Sequence, residues 1–148
     1  MATAAPLVLP RIAGYDFETG ADLSNPAERA ELSSAAIKAF LNLKKKWDLN
    51  EEDSRSLLGG VASSTFHAWK TNPKRSLDQD TLTRISLLIG IYKALNIYFG
   101  KPWSDRWIRL ANRGPVFMGR TPLAYMIQRG QPGMIEVRRM LDAWRGGQ

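Results

Sequence analysis

The most sustained pattern of apolar positions in the chain runs from Leu77 to Gly100. Within it, apolar residues recur every three or four positions, the spacing of one buried face on an α-helix; they are Leu82, Ile85, Leu88, Ile89, Tyr92, Leu95 and Phe99. Further apolar residues fall outside this stripe, namely Leu87, Ile91, Ala94 and Ile97. A helix that is apolar on more than one side is buried from two directions. The pattern therefore predicts a long helix over 77–99 that serves as the shared spine of a module before it and a module after it.

Both ends of this predicted helix carry the expected signals. Ser76 or Asp78 can cap its start, since a short side-chain oxygen accepts a hydrogen bond from an otherwise unpaired backbone N–H. Gly100 ends it, because glycine readily adopts the left-handed conformation that follows a helix. The longest uncharged run inside it, between Arg84 and Lys93, is far shorter than the ~20 apolar residues that cross a bilayer. We therefore expect no membrane span and, with no targeting segment visible, a cytoplasmic protein.

Two short helical patterns precede the central helix and are joined by a turn rich in glycine. The first covers Glu51 to Leu58 and has Asn50 as its cap. After Gly59-Gly60-Val61, the second covers Ser64 to about Thr71, with Ser63 as its cap. Two short helices joined in this way predict a helix-turn-helix. In that motif the second helix lies in the major groove of DNA, with its N-terminal residues against the base edges.

The polar residues of the second helix and of the segment after it are the candidates for contact with DNA. The predicted set is Ser63, Ser64, Thr65, His67, Lys70, Lys74 and Arg75. Hydroxyl groups bond with several bases and so give modest specificity, whereas the basic side chains suit phosphates, which set the register. Phe66 and Trp69 are predicted to turn inward as core. For His67, a surface position without a role in binding is an equally open interpretation.

The chain before the helix-turn-helix divides into an arm and a helix. Residues 1–32 are rich in alanine, proline and glycine without sustained periodicity, which predicts a flexible or loosely docked arm; Asn25 and Pro26 can start a short helix there. A longer helix is predicted from Ser33 or Ser34. Its Lys44-Lys45-Lys46 run is open to two interpretations, a solvated helix end or a set of phosphate contacts.

The region after residue 100 contains three more helical patterns. The first is short and has apolar residues at helical spacing: Trp103, Trp107 and Leu110. The second starts at Thr121 and Pro122, a strong start signal, and ends at Gly130, after which Gln131-Pro132-Gly133 is predicted to turn the chain. The last helix has apolar residues on one face and arginines opposite: Val137, Met140, Leu141 and Trp144 against Arg138, Arg139 and Arg145. The fold class is thus all-α.

Composition narrows the chemistry of the chain. There is no cysteine and one histidine, His67, which argues against thiolate or histidine metal sites and nucleophilic triads. The adjacent acids of residues 51–53 point in different directions on a helix, so capping explains them better than catalysis. We therefore expect a protein that is not an enzyme and binds neither cofactor nor metal.

The charge of the chain is unevenly distributed. The net charge is −3 over residues 1–32 and +10 over the remainder, which favours a polyanionic partner, nucleic acid first.

Several motifs of the second half resemble one known family. The carriers of the resemblance are Trp107, Leu110, Gly119-Arg120-Thr121-Pro122-Leu123, Gly130, Val137, Leu141 and Gly146. They resemble the toxin-binding domain shared by Xre, MbcA and ParS antitoxins, over about 82–148, and the helix-turn-helix before it is similar to the Xre-type DNA-binding half. The resemblance implies a non-catalytic antitoxin that inhibits a RES-domain, NAD-degrading toxin, forms a homodimer, and represses its own operon by binding operator DNA. Taken with the helical patterns, it divides the chain into three predicted regions: an arm (1–32), which has no counterpart in the family, a DNA-binding domain (33–99) and a toxin-binding domain (100–148).

The residues at the C-terminus suggest how such a toxin is blocked. A pocket for NAD must hold pyrophosphate and is therefore expected to be cationic, so the carboxylate of Gln148, carried on Gly146-Gly147, can enter it as a plug. In the alternative, the last helix covers the pocket entrance with Arg138, Trp144 and Arg145 while the tip stays outside. A different class of function also remains open, a stand-alone transcriptional regulator whose C-terminal module only dimerises.

Overall fold

In a computed structural model of the chain, residues 22–146 are described, with the exception of the side chain of Arg145. Within that range the chain forms seven α-helices and one 3₁₀ turn and contains no β-strand, so the all-α fold predicted from sequence is confirmed. The helices are α1 (Pro26–Lys46), α2 (Glu51–Leu57), α3 (Ser63–Thr71), α4 (Gln79–Tyr98), α5 (Trp103–Arg106), α6 (Pro122–Arg129) and α7 (Gln131–Gly146), and the 3₁₀ turn covers Trp107–Arg109. No helix in the described range is long and apolar enough to cross a membrane.

Helix α4 is the central element, as its two-sided apolar pattern predicts. It packs against α1 and against α7, and its buried residues include Leu82, Ile85, Ile91 and Leu95. Asp78, not Ser76, is the cap, and its carboxylate accepts a hydrogen bond from the backbone N–H of Thr81 at 2.8 Å. The buried side chains of both halves of the described chain form one hydrophobic cluster around this helix. The helix-turn-helix and the C-terminal helices are therefore packed on a common support.

Helix α1 starts earlier than predicted. Asn25 caps it by accepting hydrogen bonds from two backbone N–H groups of the first turn, and the helix continues without a break through Ser33 to Lys46. The predicted start at Ser33 or Ser34 is therefore wrong, because no glycine or proline interrupts residues 27–46. Ser33 is buried inside the helix, where its hydroxyl oxygen accepts the N–H of Leu77 at 2.8 Å. The division expected between residues 32 and 33 falls inside α1, and residues 1–21 of the arm lie outside the described range.

Two predictions for the C-terminal half need correction. Gln131-Pro132-Gly133 is not a turn but the first turn of α7, since Gly130 alone, at φ +66°, reverses the chain after α6. Proline fits there because the first N–H groups of a helix have no intrahelical partner. Trp103, Trp107 and Leu110 do not share a buried face: only Trp107 is buried. Helix α5 ends after one turn and tightens into a 3₁₀ turn, in which side chains are spaced differently around the axis.

Candidate functional site

Helices α2 and α3 form the predicted helix-turn-helix. Asn50 caps α2, and its side-chain oxygen accepts the N–H of Asp53 at 2.7 Å. The turn between the helices contains Gly59 at φ +92° and Gly60 at φ +89°, values at which a side chain would strain the backbone. The cap of α2 and the backbone conformation of these two glycines together set the direction in which α3 leaves the turn.

Aromatic packing anchors α3 to the rest of the domain. Phe66 and Trp69 are buried, with ring centroids 5.7 Å apart, and Phe66 meets the buried ring of Phe40 on α1 edge-on at 6.3 Å. The opposite side of α3 faces solvent. Each residue predicted to contact DNA is exposed, namely Ser63, Ser64, Thr65, His67, Lys70, Lys74 and Arg75. The structure therefore brings these side chains to the surface of one helix and of the segment after it.

Ser63 does not have the capping role expected of it. The cap residue of α3 is Ala62, which makes no side-chain hydrogen bond, and Ser63 is the first helical residue. Its hydroxyl instead donates to a carboxylate oxygen of Glu51 at 3.3 Å. The other oxygen of Glu51 lies 3.0 Å from Lys70 Nζ, and the hydrogen bond and charge of Lys70 hold the pKa of Glu51 below its usual value. The carboxylate of Glu51 on α2 thus contacts α3 at its first residue, Ser63, and near its last turn at Lys70, and both residues lie on the same face of the helix.

Basic side chains lie along both edges of α3. At one edge Lys70 shares a cavity of about 280 Å³ with Lys44 and Lys45 of α1. At the other edge Thr65 shares a cavity of about 300 Å³ with one cation, Arg75, and with Asp78, the cap of α4; Thr65 and Lys70 are about 140° apart around the helix. A helix in the major groove has the phosphates of one strand on each side, so this arrangement suits DNA. The predicted set omitted Lys44 and Lys45, whose run of lysines was open to interpretation either as a solvated helix end or as a set of phosphate contacts.

The C-terminal helices form a second unit on the other side of α4. Thr121 caps α6 by accepting the N–H of Ala124 at 3.0 Å, as predicted. Helices α6 and α7 are held together by the hydroxyl of Tyr125, which donates to Glu136 at 2.6 Å and whose pKa this bond raises.

The predicted toxin-contacting residues are divided by the structure. Arg138 is half-buried rather than freely exposed: its guanidinium lies against Gly90 of α4, leaving no room for a Cβ there, and its Nε lies 3.1 Å from the carboxylate of Asp142. Trp144 packs its ring 5.6 Å from that of Tyr98 and 6.0 Å from that of Trp107. Gly146 is the last residue of α7. The side chain of Arg145, and Gly147 and Gln148 of the predicted tip, lie outside the described part of the chain.

A polar network on α4 connects the two units. Arg84 donates to the carbonyl of Leu57 at the end of α2 at 3.3 Å, and its Nε lies 2.9 Å from Asp80. Asp80 in turn accepts a hydrogen bond from Gln131 at the start of α7. The turn of the helix-turn-helix and the corner between α6 and α7 therefore meet at one pair of charged residues.

Acidic and histidine side chains do not assemble a metal site in the described residues: none of their groups of three or more is arranged to hold an ion.

Comparison with known proteins gives matches along most of the chain. Residues 26–90 match the family described as the antitoxin Xre-like helix-turn-helix domain, and residues 94–147 match the antitoxin Xre/MbcA/ParS C-terminal toxin-binding domain. The two matched regions meet within α4. The chain is also 36% identical, over 125 residues, to the uncharacterized protein y4oB of Sinorhizobium fredii (strain NBRC 101917 / NGR234), an alignment that covers 84% of this chain and 95% of that protein.

Proposed function

Since the chain belongs to the Xre/MbcA/ParS antitoxin family, we propose that it inhibits a cognate RES-domain toxin that degrades NAD and represses the operon encoding both proteins. The observation that carries the proposal is the pairing of the two matched regions on one helix, α4, with the polar face of α3 exposed on one unit and the end of α7, at Gly146, exposed on the other. The proposed division assigns DNA binding to residues 33–99, together with the start of α1, and toxin binding to 100–148.

The DNA-binding half of the proposal rests on shape and charge. Helix α3 presents Ser64, Thr65 and His67 between two basic edges. The hydroxyls and the imidazole suit base edges, and Lys74 and Arg75 suit phosphates. Repression by such a motif uses two half-sites, one per protomer, so we propose that the chain acts on its operator as a homodimer.

The toxin-binding half rests on the last helix. We propose that the tip, residues 146–148, enters the NAD pocket and excludes the substrate from it. Because Arg138 is packed against Gly90, it supports the direction of α7 more than it reaches toward a partner. Trp144, near the end of α7, lies closer to the point from which the tip departs.

The decisive experiment for the function is a tagged pull-down from the native host, followed by an NAD-consumption assay on the stripped partner. A stoichiometric RES-domain partner that consumes NAD alone, and not when this chain is added back, supports the antitoxin. A chain that is recovered alone or only with DNA refutes it in favour of a stand-alone regulator.

The plug is tested separately from the toxin partnership. Deleting residues 146–148 is expected to restore NAD consumption while leaving the complex intact on a sizing column. If the shortened chain inhibits as well as the full chain, the tip does not enter the pocket and α7 covers its entrance instead.

A further inference from the structure

The exposed large apolar side chains of the described residues are concentrated in one part of the chain. They are Tyr98, Phe99, Trp103, Leu110 and Met118, and the first three bracket the corner between α4 and α5. Tyr98 and Phe99 are 38% and 37% exposed and Trp103 is 54% exposed. These three residues are called the aromatic face below. Tyr98 and Phe99 are in contact, with ring centroids 4.7 Å apart, and Trp103 follows four residues later in the chain. Exposed large apolar side chains that are grouped in this way mark a candidate interaction site.

Buried and partly buried side chains pack against the aromatic face from the inside of the protein. Tyr98 packs on Trp144, and Phe99 lies 6.3 Å from the buried ring of Trp107. Helix α5 is fixed to the end of α4 by Ser104, which is fully buried; its N–H donates to the carbonyl of Gly100 at 2.9 Å. Rings that are ordered before binding lose little conformational entropy when a partner docks, which favours tight association.

The rim of the aromatic face is cationic. Lys101 lies between Phe99 and Trp103 in the chain, and Arg106 follows Trp103 by three residues on the single turn of α5, so the two side chains are neighbours. Both cations are exposed, and neither forms an ion pair with a residue that the structure describes. The surface is therefore complementary to a partner whose surface has apolar pockets with acidic residues around them.

The charge decides between the available occupants. In a two-fold symmetric contact between copies of this chain, the same patch would meet itself. Each copy would bring two exposed cations and one half-buried carboxylate, Asp105, so a net positive charge would face a net positive charge. A partner of opposite charge avoids this repulsion. The face also borders the departure point of the tip, because Tyr98 contacts Trp144 in the last turn of α7, two residues before Gly146. One partner can therefore contact the face and the tip together.

We propose that the aromatic face, framed by Lys101 and Arg106, is the docking surface for the toxin, and that the toxin meets it with an acidic, apolar-lined surface beside its NAD pocket. The inference rests on the proposed toxin partnership and extends it: the aromatic face supplies affinity, and the tip supplies inhibition. Aromatic and arginine side chains are the residue types that dominate binding energy at protein interfaces.

The test measures affinity for the toxin recovered from the pull-down, by titration calorimetry with the full-length chain. Trp103→Ala is expected to weaken binding by about 30-fold or more, the loss typical of an aromatic anchor. Arg106→Glu is expected to weaken it further as salt is lowered, since like charges then face each other. Lys38→Glu, which reverses one positive charge at an exposed position of α1 outside both proposed sites, serves as the matched control and should leave toxin affinity unchanged.

Each alternative gives a different result. Unchanged toxin affinity in both Trp103→Ala and Arg106→Glu overturns the docking surface while leaving the antitoxin function intact. A switch from dimer to monomer by light scattering, with toxin affinity retained, identifies the face as a contact between copies. Loss of operator binding alone would assign it to nucleic acid. A wild-type chain that binds no toxin overturns this inference and the proposed function together. Thermal melting of each variant checks that Trp103, being exposed, is not needed for folding.

Discussion

Replacing Glu51 by glutamine tests where Lys70 lies in the proposed DNA complex. In the free protein Lys70 Nζ is 3.0 Å from one oxygen of Glu51, and Ser63 donates to the other at 3.3 Å. The pKa of Glu51 is lowered first by the hydrogen bond from Lys70 and then by its charge, so the carboxylate is ionised at neutral pH. A negative charge therefore lies beside the face of α3 and competes with a phosphate for Lys70.

The expected size of the effect follows from counterion release. Glutamine has the shape of glutamate and still accepts from Ser63, but it no longer neutralises Lys70. Each phosphate that a cation neutralises changes the slope of log affinity against log salt by about 0.9. Over a fourfold salt range, from about 50 to 200 mM, one additional contact therefore changes the ratio of the two dissociation constants by about 3.5-fold. Glu51→Gln is expected to steepen the slope by this amount and to bind more tightly at low salt.

The assay is fluorescence anisotropy with a labelled duplex from the promoter of the chain's own operon, repeated across the salt range. Glu52→Gln is the matched control, because it removes the same charge from the neighbouring exposed residue, which is not in contact with Lys70. Each variant removes one negative charge that repels DNA. Only the difference between the two slopes of log affinity against log salt therefore reports on Lys70. Identical slopes in the two variants would refute the placement of Lys70 against a phosphate.

Three further predictions concern stability. Asp78→Ala removes the cap of α4 and is expected to lower the free energy of unfolding, measured in urea, by about 1 kcal/mol. Hydrogen bonds from the third residue of α4 lower the pKa of Asp78, so the difference from wild type is complete above about pH 4 and should vanish as the pH falls further. A constant difference down to pH 2 would contradict this. Phe66→Ala empties the site behind α3 and should cost about 3–5 kcal/mol by thermal melting; a loss under about 1 kcal/mol would show that α3 is not anchored there. Gly60→Ala, at φ +89° with open space around it, should lower the free energy of unfolding by about 1–3 kcal/mol through backbone strain alone. Gly59→Ala should lower it by more, because the added Cβ would lie 3.1 Å from Arg84. Equal losses in the two variants would mean that the guanidinium of Arg84 moves aside freely.

The candidate DNA site was predictable in part because its signals are local. The cap of α2, the two glycines of the turn and the inward direction of Phe66 each depend on a few neighbouring residues. The contribution of α1 was not predictable in the same way. Lys44 and Lys45 are far from Lys70 in sequence, and only the packing of α1 beside α3 brings them to one cavity. The pairing of Glu51 with Ser63 and Lys70 has the same origin.

For the candidate toxin site, the sequence pattern was a poor guide to which side chains are exposed. The sequence pattern placed Arg138 with the exposed arginines of the last helix, but the absence of a side chain at Gly90 lets α4 receive its guanidinium. Trp103 was expected on a face shared with Trp107, yet it is exposed, and the aromatic face proposed here arises from that exposure. Neither result can be read from helical spacing, because spacing says which residues share a side and not what lies opposite.

By itself, then, the sequence determined the helical class, the central helix with its glycine end, the helix-turn-helix and the family, because periodicity and turn conformation are decided within a few residues. It left two candidates, Ser76 and Asp78, for the cap of the central helix, and the structure identified Asp78. The tertiary structure alone decided which polar side chains face solvent and which bind another helix. It joined Arg84 to Leu57 and brought Trp144 onto Tyr98. The physical reason is that burial and ion pairing depend on contacts between residues distant in the chain, and these exist only after the helices have packed.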